Sequence, residues 1–175
     1  MADGDVDALL EIWPSNMSDE DRLYFEREQV VDIGPLGSVG KVGWFVPRYV
    51  IEADPTLASW EGFAAPAVAA QFATPASGAR GRFLGTNPDY EQYDEQLIAN
   101  LGLPFVVEYS GSETATMAEV EARVTAQEPL LLYWWTPTAA VARFDLVNVA
   151  LPERTDDCGT PEAAAAGQVD CGRSR

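Results

Sequence analysis

Four aromatic residues, Trp13, Trp44, Tyr90 and Trp135, sit beside or close to proline or glycine, where a strand or loop should end. The chemistry open to such rings is recognition, not turnover. An indole face attracts a cation, above all a quaternary ammonium that has no N–H to donate. A cage of three or four rings is the physical solution for a methylated ammonium. The alternative is that the rings pack in the core, the ordinary fate of large aromatic side chains. Trp134 and Trp135 are adjacent in PLLLYWWTP. On a strand they point to opposite faces, so one can look into a cleft while the other packs inside.

Residues for catalysis are scarce. There is no histidine, the commonest general base and a frequent metal ligand. Glu91, Asp94 and Glu95 fall on one expected helix and read as a solvated face, not a tuned acid–base pair. Ser110-Gly111-Ser112 is too short for a nucleophile elbow and reads as a capped helix N-terminus, where backbone N–H groups near Ser110–Glu113 can receive an anion. The glycines at 34, 37, 40 and 43 lack the G-x-G-x-x-G spacing and lead into a strand, so no nucleotide site is expected. No catalytic residue, metal or cofactor is assigned. A carboxylate-dependent hydrolase using Glu113 or Asp94 is the enzyme alternative.

Bulk properties narrow the partners. In 175 residues, 28 acidic side chains face 11 basic ones, a formal charge of −17, with Lys41 the sole lysine. Such a surface repels nucleic acid and anionic lipid and mildly favours cationic ligands. Hydrophobic content of 47% fits a globular chain. No apolar run is long enough to span a membrane, and the acidic start Met1–Asp5 is not a signal peptide. Cys158 and Cys171 lie in a polar, alanine- and glycine-rich tail. They suit a disulfide closing a surface loop of an exported protein, with two free thiols as the alternative.

The elements that must position the rings follow from periodicity and punctuation. Val6–Ile12 alternates as a weak strand, Ser18 caps a helix to about Gln29, and Val30–Ile33 is a short strand. Val42–Val46 is a strand closed by Pro47. Ser59 can cap a helix that Pro66 must interrupt. Arg82–Gly85 is a strand, and a helix runs from Thr86–Asp89 to Leu101, stopped by Gly102. Phe105–Tyr109 is a strand, followed by the helix Thr114–Gln127 with Met117, Val120 and Val124 as its buried stripe. PLLLYWW is the central strand. A short helix through Val141 and a last strand over Phe144–Leu151 complete the pattern. Strand and helix alternate, as in a mainly parallel sheet with helices on both faces.

The segments DVDALLEIWPSN, GKVGWFVPRYV, LIANLGLPFVVEYSGSE and LLLYWWTPTAAVARFDLVNVALP resemble, in that order, the substrate-binding proteins of ABC transporters for glycine betaine, proline betaine and choline. The resemblance runs over nearly the whole chain. It implies an α/β fold: a type II periplasmic-binding-protein-like lobe on a mainly parallel sheet, with part of the two-lobed whole, including part of the second lobe, missing. Residues 1–40 are then a remnant of the first lobe and crossover, 41–140 the second lobe, and 141–175 the return crossover and Cys-containing tail.

The same resemblance implies a ligand site at Trp13, Tyr90, Trp135, Ser112 and Thr138. Trp13 looks like the cage Trp of the first lobe, and Trp135 like the Trp of the family's W-x-P segment. Tyr90 falls in an N-P-x-W-like stretch where a further Trp is common, so it keeps a ring but offers a weaker cation site. Thr138 lies near a position often held by an aromatic or His that can touch a carboxylate. The implied function is binding of a quaternary-ammonium osmolyte for ABC uptake, with a permease as partner and a periplasmic or extracellular location. The family's N-terminal strand–helix unit, its later return to the first lobe and its export signal have no counterpart here. A truncated, ligand-blind interaction module is therefore the second expectation.

Overall fold

The computed structural model describes residues 3–13, 17–90 and 93–152. Cys158 and Cys171 lie outside the described residues, as does Glu91. Among the described residues the sheet has five strands, in the order β3-β2-β4-β1-β5. They are β1 (Lys41–Pro47), β2 (Gly81–Gly85), β3 (Phe105–Tyr109), β4 (Leu132–Thr136) and β5 (Leu146–Asn148). β2 pairs parallel with β3 and β4, whereas β1 pairs antiparallel with β4 and β5. Four strands thus point one way and β1 alone runs against them, which makes the sheet mainly parallel.

Both faces are covered, so the central strands read as unbroken apolar runs rather than alternating ones. On one face lie Trp44, Phe83, Phe105 and Tyr133, packed against Leu97 and Ile98 of α4 (Asp94–Asn100). On the other, Phe45, Leu84, Leu132 and Trp134 pack against Val120 of α5 (Glu113–Ala126). The register explains the division: Trp44 is opposite Tyr133 and Phe45 opposite Leu132, and residues two apart on a strand share a face.

Helix ends follow their local chemistry. In α1 (Asp19–Glu26) the Ser18 hydroxyl accepts from the Asp21 N–H at 3.1 Å and the Asp21 carboxylate accepts from the Ser18 N–H at 3.0 Å. This is a reciprocal capping box. α4 ends at Gly102, with φ +64°, where Leu103 N–H reaches the Ile98 carbonyl and Gly102 N–H that of Ala99. That is the Schellman arrangement. α5 instead ends on Gln127 at φ 55°, a left-handed conformation that costs a residue with a Cβ about 1 kcal/mol. Gln127→Gly should therefore raise unfolding stability by about 0.5–1 kcal/mol in urea titrations; a loss would mean that the Gln127 side chain's bond to the Val124 carbonyl outweighs the backbone term.

Several expectations are corrected. Val6–Ile12 and Val30–Ile33 are not strands. A strand needs a neighbour to take its backbone hydrogen bonds, and no described strand lies beside them. Val31 and Ile33 are 72% and 94% exposed. The helix expected from Thr86–Asp89 begins only at Asp94, because Asn87 makes a turn, its side chain accepting from Asp89 N–H and its carbonyl from Tyr90 N–H. Beyond α2 (Arg48–Ala53), the segment after Ser59 is a pair of short helical pieces, a 3-10 turn at Trp60–Ala64 and α3 (Pro66–Ala69), with Pro66 starting the second instead of kinking one helix. The last strand is shorter than Phe144–Leu151, since Phe144 closes α6 (Ala139–Arg143).

Candidate ligand site

The expected site residues converge on one edge of the sheet. Tyr90 follows β2, Ser112 follows β3 and Thr138 follows β4. Because β1 is reversed, its start, Lys41, stands opposite Thr136 at that same edge. Trp13 joins it there: its ring lies so close to Gly40 that a Cβ on that glycine would fall 2.0 Å from the ring. The indole N–H of Trp13 donates to Glu11 at 2.6 Å. In open α/β sheets this edge, beyond the carboxyl ends of the parallel strands, is where ligands bind.

Trp135 is the half-buried centre of the cluster. The Tyr90 ring meets it edge-on, centroids 6.4 Å apart at 75°, and the Tyr133 ring is tilted against it at 6.2 Å. Trp134 is only 1% exposed and belongs to the opposite face's core. The two indoles nevertheless do not part company, for their rings stack at 4.2 Å and 23°. Alternation fixes where each Cβ points, but β2 pairs with β4 only at Leu84–Leu132, so on that side no described strand lies beside Trp135. Stacking covers one face of the Trp135 indole and braces it.

Thr138 is bound into this arrangement. Its hydroxyl accepts from the Trp134 indole N–H at 2.9 Å and reaches the Trp135 carbonyl at 3.3 Å. The Thr136–Pro137 peptide between them is cis. Ser112 is exposed and caps α5, accepting from Ala115 N–H at 3.2 Å. The anion reading of Ser110–Glu113 loses two of its donors: Ser110 N–H goes to the Gly85 carbonyl and Gly111 N–H to that of Thr86, both at 3.0 Å.

Two further expectations change. Trp44 is not at a strand end; β1 continues through Pro47, and the ring is buried against Phe83 at 5.1 Å. Asp94 is not on a solvated face. It is 6% exposed, and its carboxylate accepts from the Trp44 indole N–H at 2.7 Å. Glu95 does remain exposed.

Sequence reasoning also missed Tyr109. It ends β3 beside Ser110-Gly111, so the aromatic-at-a-strand-end rule that selected Trp135 would have found it. Its ring lies over Gly85, where a Cβ would come within 2.6 Å of it. Burial pushes the Tyr109 phenol pKa up, and the negative charges of Glu95 and Asp94, with a hydrogen bond to Glu95, push it further. The edge is therefore aromatic and electronegative. Among the described residues no group of three or more His, Cys, Asp or Glu could hold a metal ion, and no helix is long and apolar enough to cross a membrane.

Comparison with known proteins bears on the family and the fold. The family model for the substrate-binding domain of ABC-type glycine betaine transport systems matches residues 1–168. The trimethylamine N-oxide-binding protein of Pelagibacter ubique (strain HTCC1062) is 29% identical over 176 residues, covering 91% of this chain and 55% of that protein. Two solved structures share the fold. The glycine betaine/L-proline-binding protein of Borrelia burgdorferi superposes with a TM-score of 0.58 at 20% identity, over 85% of this chain and 52% of that one. Lactococcal OpuAC, closed around glycine betaine, gives 0.56 at 15% identity, over 98% and 66%. The chain thus spans about half the length of the curated relative it matches. With the match covering nearly all of its residues, this chain belongs to the family of substrate-binding domains of ABC-type glycine betaine transport systems.

Proposed function

We propose that this chain binds a small methylated-amine osmolyte for delivery to an ABC permease, in the periplasm or outside the cell, and catalyses no reaction. The observation that carries the reading is the half-buried Trp135 ring, braced by Trp134 and flanked by Tyr90 and Tyr133 at the carboxyl edge of the sheet. Such rings gain from a trimethylated head both by cation–π attraction and by burial, about 0.5–2 kcal/mol per ring. Trp13, Tyr90 and Trp135 supply ring faces. Ser112 and Thr138 supply the polar ends, Thr138 chiefly by holding Trp134 in place. The ligand class is glycine betaine, proline betaine or choline, and the N-oxide-binding relative extends it to trimethylamine N-oxide.

Calorimetric titration with glycine betaine, choline and trimethylamine N-oxide, with Trp fluorescence in parallel, tests the reading. Saturable binding of at least one is expected. Tyr90→Trp should tighten it about threefold, ~0.6 kcal/mol, because indole is the stronger cation partner. Saturation by none of the three, or a Tyr90→Trp variant that binds more weakly, would count against the ring cluster as the site. A second reading, an interaction module without ligand, draws on the exposed apolar residues Leu10, Val31, Ile33 and Val39; it becomes the better one if no titration saturates.

A further inference from the structure

We infer that Thr116, one turn into α5, is a positioning residue of the ring cluster: through Ser110 it fixes the turn that carries Tyr90, and so the stance of Tyr90 against Trp135. The inference rests on that cluster being the ligand site and names a residue that supports it from a distance.

Thr116 is fully buried, a place where a hydroxyl must be satisfied. Its N–H and its hydroxyl both donate to the Ser112 carbonyl at 2.9 Å. A bond to the carbonyl four residues back is common for a helical threonine. Less common is a second partner from outside the helix: the Ser110 hydroxyl lies 2.6 Å from the Thr116 oxygen. With the Thr116 proton committed to Ser112, Ser110 is the donor in that pair. The two hydroxyls form a short relay that ties the end of β3 to α5.

Ser110 is tied in turn to β2. Beyond the last β2–β3 pair, Gly85 with Tyr109, Ser110 N–H donates to the Gly85 carbonyl and Gly111 N–H to that of Thr86, both at 3.0 Å. Gly111 reaches Thr86 with φ +90°, a backbone open to glycine and strained for a residue with a Cβ. Thr86, itself fully buried, leads at once into the Asn87 turn. There the Asn87 carbonyl accepts from Tyr90 N–H at 3.1 Å and its side chain from Asp89 N–H at 3.0 Å. The Tyr90 ring then meets Trp135 at 6.4 Å. Every step from Thr116 to Trp135 is a contact or a peptide bond.

Tyr90 is exposed. A ring at the surface keeps one stance only if the backbone beneath it is held. Holding it before the ligand arrives spares the entropy of ordering it on binding, which is how preorganisation raises affinity.

Thr116→Val keeps the shape and removes the hydroxyl that Ser110 reaches. Titrated with glycine betaine, choline and trimethylamine N-oxide where the variant is fully folded, it should bind each saturating probe about threefold more weakly. Thr116→Ser keeps the oxygen and should restore binding. A double-mutant cycle separates positioning from general loosening: in a Tyr90→Ala background, Thr116→Val should change affinity by less than about 1.5-fold. Amide hydrogen exchange reads the same link without ligand. Thr116→Val should speed exchange severalfold at Gly111 and Tyr90 and leave Val120 within α5 unchanged. Equal weakening in both backgrounds, no weakening at all, or faster exchange confined to α5 would overturn the inference. If the wild type saturates with none of the three probes, the proposed function fails, and exchange at Tyr90 alone decides whether Thr116 holds its turn. If Thr116→Val does not fold, Ser110→Ala breaks the relay from the other side and must give the same weakening, cycle and exchange pattern.

Discussion

Trp134→Ala should lower unfolding stability by about 3–5 kcal/mol, while Trp135→Ala should cost far less stability but weaken osmolyte binding at least tenfold, about 1.4 kcal/mol. The division follows from depth. Trp134 is buried among Phe45, Leu132, Val120 and Phe144, and its indole N–H is satisfied only as long as Thr138 stays in place. Deleting it opens a cavity and removes the indole donor to Thr138, leaving that hydroxyl its bond to the Trp135 carbonyl. Trp135 is half-buried and presents its ring beside Tyr90. The stack between the two indoles couples the effects, so Trp134→Ala should also loosen Trp135 and weaken binding as a secondary consequence. Trp134→Phe separates the two, keeping a ring to stack on while removing the N–H. Urea unfolding and calorimetry on the four proteins check the pattern. Binding that survives Trp135→Ala untouched would remove the cluster from consideration as the site.

Arg82→Met should cost about 3 kcal/mol and change the acid limb of the stability curve. Arg82 stands between the sheet and α5, pairing with Glu108 at 2.8 Å and with both oxygens of Glu119, while Arg123 reaches Glu119 and Glu128. Removing the guanidinium leaves two half-buried carboxylates facing each other. In the wild type the hydrogen bond from Arg82, with its charge and with the charge and hydrogen bond of Arg123, holds the Glu119 pKa below the ordinary value, against burial, which pushes it up. A carboxyl whose folded pKa is depressed contributes stability above its unfolded pKa and loses it as pH falls through the folded one. The wild type should therefore lose the Glu119 contribution only on strong acidification. In Arg82→Met the part of that contribution that Arg82 supplies is gone already at neutral pH, and what Arg123 still supplies should begin to fade at higher pH. Superimposable pH–stability curves would show that the network adds nothing.

What the sequence disclosed was mostly local. Ser18, Ser112 and Gly102 mark helix ends because the partners that make them caps lie within five residues, and each is found in that role. The apolar runs of β1 to β4 were legible because both faces of the sheet are covered. Val6–Ile12 misled because alternation records a preference for a strand, and only a neighbouring strand can realise it. Trp44 misled in the opposite sense: glycine beside it looked like a strand end, but Gly43 serves close approach, with the Asn148 side chain where a Cβ would sit. The site was legible in kind and less so in detail. Asp94 pairs with a residue fifty positions earlier, and nothing in the spacing of Glu91, Asp94 and Glu95 reveals which one turns inward. Likewise, the loss of the Ser110 and Gly111 donors depends on Gly85 and Thr86 in another strand and loop.

The reversal of β1 carries an architectural consequence. Lys41 enters the sheet at the edge where Trp135 stands, and β5, being antiparallel to β1, heads back toward that same edge, with Asn148 already opposite Phe45. The start of β1 and the end of β5 are thus about four residues apart along the ladder, roughly 13 Å. A folded unit whose ends are neighbours can be grafted into a host loop through two short linkers, or permuted so that new ends open elsewhere.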